Sequence, residues 1–139
     1  MTCSAPYRPS REIKQTSALS QRILIVDDDE DVTRLFGKIL ENAGYSVRST
    51  LSGKDGLRAI REGTFELVIL DLAIPDLDGF EILQAIRNQV SKPKIIAVSG
   101  VFPKMLSTAK IFGADLVLDK LVATDLLVAS VHRLIDTPS

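Results

Sequence analysis

Four apolar runs, each stopping on a polar group, constrain this chain more than any other feature. Residues 23–26 (ILIV) stop on Asp27-Asp28, residues 67–70 (LVIL) on Asp71, residues 95–98 (IIAV) on Ser99, and LVLD at 116–119 on Lys120. Continuous apolar runs of this length suit strands buried on both faces of a parallel sheet. If they lie side by side, three carboxylates, a hydroxyl and an ammonium meet at one sheet edge. Acids crowded together rise in pKa unless a cation sits among them, so a divalent metal is expected. A hard cation such as Mg²⁺ takes oxygen ligands and is usually held by one or two carboxylates together with phosphate oxygens. The edge therefore points to phosphoryl chemistry with a protein carboxylate as nucleophile.

Helical periodicity fills the gaps between the runs. Val32, Leu35, Phe36, Ile39, Leu40 and Ala43 form one stripe, with Asp29, Glu30 and Asp31 in the first turn and Gly44 as terminal cap. Residues 45–50 alternate in polarity, as a half-exposed edge strand does. Ser52 caps a second helix reaching Glu62, with Leu57 and Ile60 inward, Gly56 weakening it and Gly63 ending it. A buried strand over 65–70 precedes the loop LAIPDLDG, in which Pro75 adds stiffness, Asp78 caps and Gly79 permits the turn. Phe80, Leu83, Ile86 and Val90 mark a third helix, and Pro93 closes that region before a buried strand over 94–98. Pro103 opens a fourth helix lined by Met105, Ala109 and Phe112 and capped by Gly113. A short strand over 116–118 and a helix over 123–135, carrying Leu126, Leu127, Val131, Leu134 and Ile135, complete the chain. Five strands alternating with five helices predict an α/β fold: an open five-stranded parallel sheet, helices on both faces, with right-handed crossovers. The polar second strand belongs at an edge, giving the flavodoxin-like order 2-1-3-4-5 and a crevice at the carboxyl ends of strands one and three.

At 139 residues one domain is expected over 21–136, preceded by a mobile tail over 1–20 and followed by a short end over 137–139. A net charge of −1 argues against a basic face and hence against direct nucleic-acid binding. Cys3 is the only cysteine, which excludes an intrachain disulfide and a cysteine-based zinc site, and a reducing compartment fits. The tail lacks the apolar core of a secretory signal, so no membrane involvement is expected.

The motifs ILIVDDDED, LVILDLAIPDLDG, IIAVSG and GADLVLDK, in this order, resemble the response-regulator receiver domain of bacterial two-component signalling, a stand-alone type similar to the chemotaxis regulator. The resemblance implies Asp71 as phosphoacceptor, taking a phosphoryl group from a histidine kinase or a histidine phosphotransfer protein. It implies Mg²⁺ bound by Asp27, Asp28, Asp71 and the backbone carbonyl of Ala73, with Lys120 neutralising phosphoryl oxygens and Ser99 bonding one after modification. It implies a cytoplasmic signalling protein, not an enzyme with its own substrate, acting on a downstream protein partner.

The chain departs from the family pattern in three respects. Val117 stands where an aromatic switch is usual, Leu121 follows the lysine where proline is common, and Ala73 and Val101 offer no side chain to orient water. A non-proline cis bond costs about 2.5–4 kcal/mol, so the Lys120-Leu121 bond is expected trans. Slow self-hydrolysis of the acyl phosphate is also expected.

Competing readings carry less of the pattern. DDDED alone is the ordinary solvated start of a helix. Its calcium-loop spacing fails because Val32 stands at the required glycine and Lys38 at the twelfth-position acid. Asp27 and Asp29 stand two apart, as in small haloacid-dehalogenase-like phosphatases, but Asp31 replaces the threonine expected there. A pseudo-receiver that only docks partners is the non-catalytic alternative, favoured by Val117 and Leu121. His132, the sole histidine, is expected to be a satisfied or exposed helix residue. The broadly apolar last helix offers a surface for homodimer pairing.

Overall fold

In a computed structural model the residues described are 21–73, 79–89, 92–100 and 113–136. The strands are β1 (Arg22–Val26), β2 (Ser46–Thr50), β3 (Leu67–Asp71), β4 (Lys94–Ser99) and β5 (Leu116–Asp119). The helices are α1 (Glu30–Asn42), α2 (Gly53–Glu62), α3 (Gly79–Arg87) and α4 (Lys120–Asp136). All strand pairs are parallel in the order β2-β1-β3-β4-β5, as the patterning requires. The expected tail over 1–20, the end over 137–139, the loop with Pro75 and Asp78, Val90, Val101 and the helix over 103–112 lie outside the described residues. Among the described residues no helix is long and apolar enough to cross a membrane.

Side chains alternate across the central strands and so divide the interior in two. Leu24, Val26, Val68, Leu70, Ile95 and Ala97 join Ile60 of α2 and Ile82, Leu83 and Ile86 of α3. Ile23, Ile25, Leu67, Ile69, Ile96 and Val98 join Phe36 and Leu40 of α1 and Ala123, Leu127 and Val131 of α4. The register Ile25↔Ile69↔Ile96 carries one face across three strands. Burial of each such side chain contributes about 1.5–3 kcal/mol, which fixes the register and holds the polar strand ends level with one another.

Several local expectations change. Asp29 is the α1 cap rather than a first-turn residue: its carboxylate accepts from the Asp31 and Val32 N–H groups. The buried line of α1 runs through Thr33, Phe36, Gly37 and Leu40, whereas Leu35 is 47% exposed and Ala43 is exposed. Each helical residue turns about 100°, so Leu35 falls on the flank once Phe36 faces the sheet. Gly44 has φ 101° and ends the helix as expected, with Tyr45 N–H reaching the Leu40 carbonyl. Ser52 caps α2, whose Ala59 and Ile60 are buried and Leu57 half-buried. Gly56 is more than a weak point. A Cβ there would lie 2.7 Å from Val26 Cγ1, so α2 packs on β1 only because this residue has no side chain.

The last helix starts at Lys120, three residues before the expected position, directly after β5. Its buried side is Ala123, Leu127 and Val131, while Leu126 is 45% exposed. No cis peptide occurs among the described residues, so the Lys120-Leu121 bond is trans.

Candidate functional site

Strand register brings the polar ends together. Asp27 follows the last residue of β1, Asp71 ends β3 opposite Val98 of β4, and Ser99 pairs with Asp119 of β5. The Asp27 N–H also donates to the Thr50 carbonyl at 3.2 Å, which ties the ends of β1 and β2.

Asp27 and Asp71 are oriented by one device used twice. Asp27 Oδ1 accepts from the Asp29 N–H at 2.9 Å, and Asp71 Oδ1 accepts from the Ala73 N–H at 2.9 Å. With one oxygen bonded to the backbone two residues on, the other faces inward. Lys120 Nζ lies 3.0 Å from Asp27 Oδ2 and donates to Asp71 Oδ2 at 2.9 Å. The two contacts differ in kind, because Asp27 Oδ2 is buried with no well-directed hydrogen bond; its pairing with Lys120 is an ion contact. Asp28 is exposed, yet it places a carboxylate oxygen within 4.8 Å of oxygens of Asp27 and Asp71.

Burial pushes the Asp27 carboxyl above its ordinary range, and the Asp71 charge adds to the rise. The Asp29 N–H and Lys120 oppose it without cancelling it. Burial alone lowers a lysine, but the hydrogen bond to Asp71 and the charges of Asp71 and Asp27 outweigh it and hold Lys120 above its usual value. One ammonium thus contacts two carboxylates of a cluster of three. The all-oxygen donor set, with one buried oxygen lacking a directed bond, fits a hard divalent cation.

Of the expected site residues, Asp27, Asp28, Asp71 and Lys120 converge. Ser99 is buried at the same edge. Ala73 is there through its N–H, bonded to Asp71. Val117 is half-buried and packs against the core beneath α2 and α3. His132 lies elsewhere, bonded to the Tyr45 hydroxyl at 3.2 Å and to Asp136 at 3.0 Å, as expected of a satisfied helix histidine.

Two contributors were not foreseen. A Cβ on Gly100 would stand 3.3 Å from Lys120 Cβ, so that glycine gives room for the lysine stem. Thr50 is buried at the end of β2 and supplies the carbonyl that Asp27 uses. The Ser-Gly pair signalled the first, and nothing in the pattern of β2 signalled the second.

Comparison with known proteins agrees with this geometry. Regulatory protein VanRc of Enterococcus gallinarum is 33% identical over 108 residues, covering 78% of this chain and 41% of that protein. Response regulator ArlR of Staphylococcus saprophyticus is 35% identical over 96 residues, covering 68% of this chain and 43% of that protein. The chain therefore spans less than half the length of these relatives. A CheY-like response regulator receiver domain protein from Methanospirillum hungatei JF-1 superposes with TM-score 0.77 at 31% identity, covering 84% of this chain and 94% of that one. Response regulator TrrA from Thermotoga maritima, solved with Mg(2+)-BeF, superposes with TM-score 0.74 at 30% identity, covering 82% and 98%. A family model described as the response regulator receiver domain matches residues 23–132. With strand order, acidic edge and this match in agreement, the chain belongs to the response regulator receiver domain family.

Proposed function

We propose that Asp71 accepts a phosphoryl group from the phosphohistidine of a histidine kinase or histidine phosphotransfer protein. The observation that carries this reading is the convergence of Asp27, Asp28 and Asp71 within 4.8 Å, with Lys120 bridging two of them. An Asp71 oxygen forms a bond to phosphorus as the P–N bond breaks, and the electron pair leaves with the imidazole nitrogen. The transition state is loose, so positioning and charge neutralisation do most of the work. Asp27, Asp28, Asp71 and the Ala73 carbonyl are the residues that would hold Mg²⁺, which would supply Lewis-acid neutralisation of the phosphoryl oxygens. The Ala73 N–H holds Asp71 in its attacking orientation. Lys120 exchanges its bond to Asp71 for one to a phosphoryl oxygen, and Ser99 bonds another. Ala73 and Val101 orient no water, so self-hydrolysis is slow. Output runs through protein contacts in the cytoplasm, without direct contact to nucleic acid, and the exposed Leu126 side of α4 offers a homodimer surface.

Incubation with acetyl phosphate and Mg²⁺ tests the reading. One phosphoryl mass is expected, labile to hydroxylamine and absent from Asp71→Ala. A docking-only pseudo-receiver gains no mass, and a haloacid-dehalogenase-like phosphatase turns over acetyl phosphate without a lasting adduct. The family match favours neither alternative.

A further inference from the structure

We infer that Asp29 is a positioning residue of the acidic site: its carboxylate, by capping α1, clamps the turn that aims Asp27 and presents Asp28. Three successive acids leave β1, and the fold divides them. Asp27 and Asp28 belong to the oxygen cluster with Asp71, whereas Asp29 stands outside it. The Asp29 Oδ1 turns to the helix and accepts from the N–H groups of Asp31 at 3.0 Å and Val32 at 3.2 Å. Its carbonyl accepts from the Thr33 N–H at 3.0 Å. Its own N–H points the other way and donates to Asp27 Oδ1 at 2.9 Å. One residue thus fastens the start of a helix with its side chain and a site carboxylate with its backbone.

The packing on either side shows what this clamp connects. β1 is paired on both edges in the sheet, and α1 is held against the same core by Phe36 and Leu40. Asp27, Asp28 and Asp29 alone span the gap between the two elements. Asp28 is exposed, and its carboxylate has no hydrogen-bond or ion-pair partner among the described residues. Its place beside Asp27 and Asp71 is therefore set by the backbone of that turn. Without the capping oxygen, two N–H groups of α1 lose their acceptor, and the peptide that aims Asp27 is tied to the helix by its carbonyl alone. The matching bond from the Ala73 N–H to Asp71 is made by a peptide on another strand end, which this cap does not touch. The part of the inference that concerns Mg²⁺ rests on the proposed function.

Backbone NMR on the whole chain tests this, with the amides at positions 29 and 73 as reporters because each donates to one acid of the site. Asp29→Ala removes the capping oxygen and Asp29→Asn keeps it, asparagine being as good a cap as aspartate. In metal-free protein, protection of the position 29 amide from exchange is expected to fall about fivefold in Asp29→Ala and to stay within about twofold of wild type in Asp29→Asn. Protection at 73 is expected to be unchanged in both. On titration with Mg²⁺, Asp29→Ala is expected to bind about fivefold more weakly and Asp29→Asn within about twofold of wild type. Glu30→Gln, which removes a neighbouring exposed charge and no cap, is expected to stay within about twofold as well. Unaltered protection at 29 in Asp29→Ala overturns the inference, as does an equal loss at 29 and 73, which marks general loosening. Affinity for Mg²⁺ that falls equally in Asp29→Ala and Asp29→Asn also overturns it, since charge alone then explains the loss. A wild type whose amides ignore Mg²⁺ refutes the proposed metal site instead, and protection at 29 still decides whether the cap aims Asp27.

Discussion

Replacing Asp27 by asparagine should stabilise the protein when no divalent cation is present. Asp27 has oxygens within 4.8 Å of those of Asp28 and Asp71. At an effective dielectric constant of about 20, each of these repulsions is worth about 3.5 kcal/mol, and the exposure of Asp28 screens its share further. The attraction to Lys120 at 3.0 Å is worth about 5.5 kcal/mol on the same scale. Charge terms nearly cancel, which leaves the cost of burying an anion that is 2% exposed as the deciding effect. Asparagine keeps the Oδ1 acceptor for the Asp29 N–H and removes the charge. A gain of about 1–2 kcal/mol follows, or roughly 3–6 °C in Tm for a domain of this size. The folded-state pKa of Asp27 lies above its ordinary 3.8, so the favourable contribution of its protonated form is present below pH 3.8 and lost as pH rises through the folded value. The advantage of the variant therefore appears above that window and vanishes in acid. Thermal unfolding in a chelator at neutral pH and near pH 3, repeated with added Mg²⁺, reads all of this. Wild type should gain stability with Mg²⁺ and the variant much less. A variant no more stable than wild type in chelator at neutral pH, or equally responsive to Mg²⁺, refutes the reasoning.

Gly56→Ala should lose about 1–3 kcal/mol in urea denaturation, because its methyl would sit 2.7 Å from Val26 Cγ1. Gly100→Val should slow phosphorylation by acetyl phosphate by displacing the Lys120 stem, while the Mg²⁺-induced rise in Tm persists. The Tyr45 phenol is pushed above its ordinary 10.0 by burial and then by Asp136, so its contribution to stability is full below pH 10 and lost as pH rises through the folded value. Tyr45→Phe should accordingly flatten the alkaline fall in stability followed by circular dichroism. Ile69→Ala, at the centre of one core, should cost about 2–5 kcal/mol in the same denaturation assay.

Strand-end chemistry was legible because burial on both faces of a parallel sheet leaves an unambiguous mark: unbroken aliphatic runs whose first polar residue is the edge. That mark puts Asp27, Asp71, Ser99 and Lys120 at the sheet edge from the sequence alone. Helix faces were less legible. Leu35 and Leu126 are as apolar as their buried neighbours, and only the position of the sheet decides which side of a helix is covered. The start of α4 escaped because Lys120 and the residues after it carry no capping signature; the helix is entered straight from a strand. Gly56 and Gly100 were legible as glycines, but the neighbour that excludes a side chain at each is distant in sequence.

The backbone hydrogen bonds to Asp27 and Asp71 have a consequence for how such a protein can diversify. The Oδ1 oxygen of each carboxylate is held by the peptide group two residues on and not by that residue's side chain, so position 73 is chemically open. Any residue with an amide hydrogen can stand there without turning the acceptor, and proline alone is barred. Under the proposed phosphorylation of Asp71, solvent access to the modified carboxylate can then be retuned by substitution at 73 while Asp71 keeps its aim.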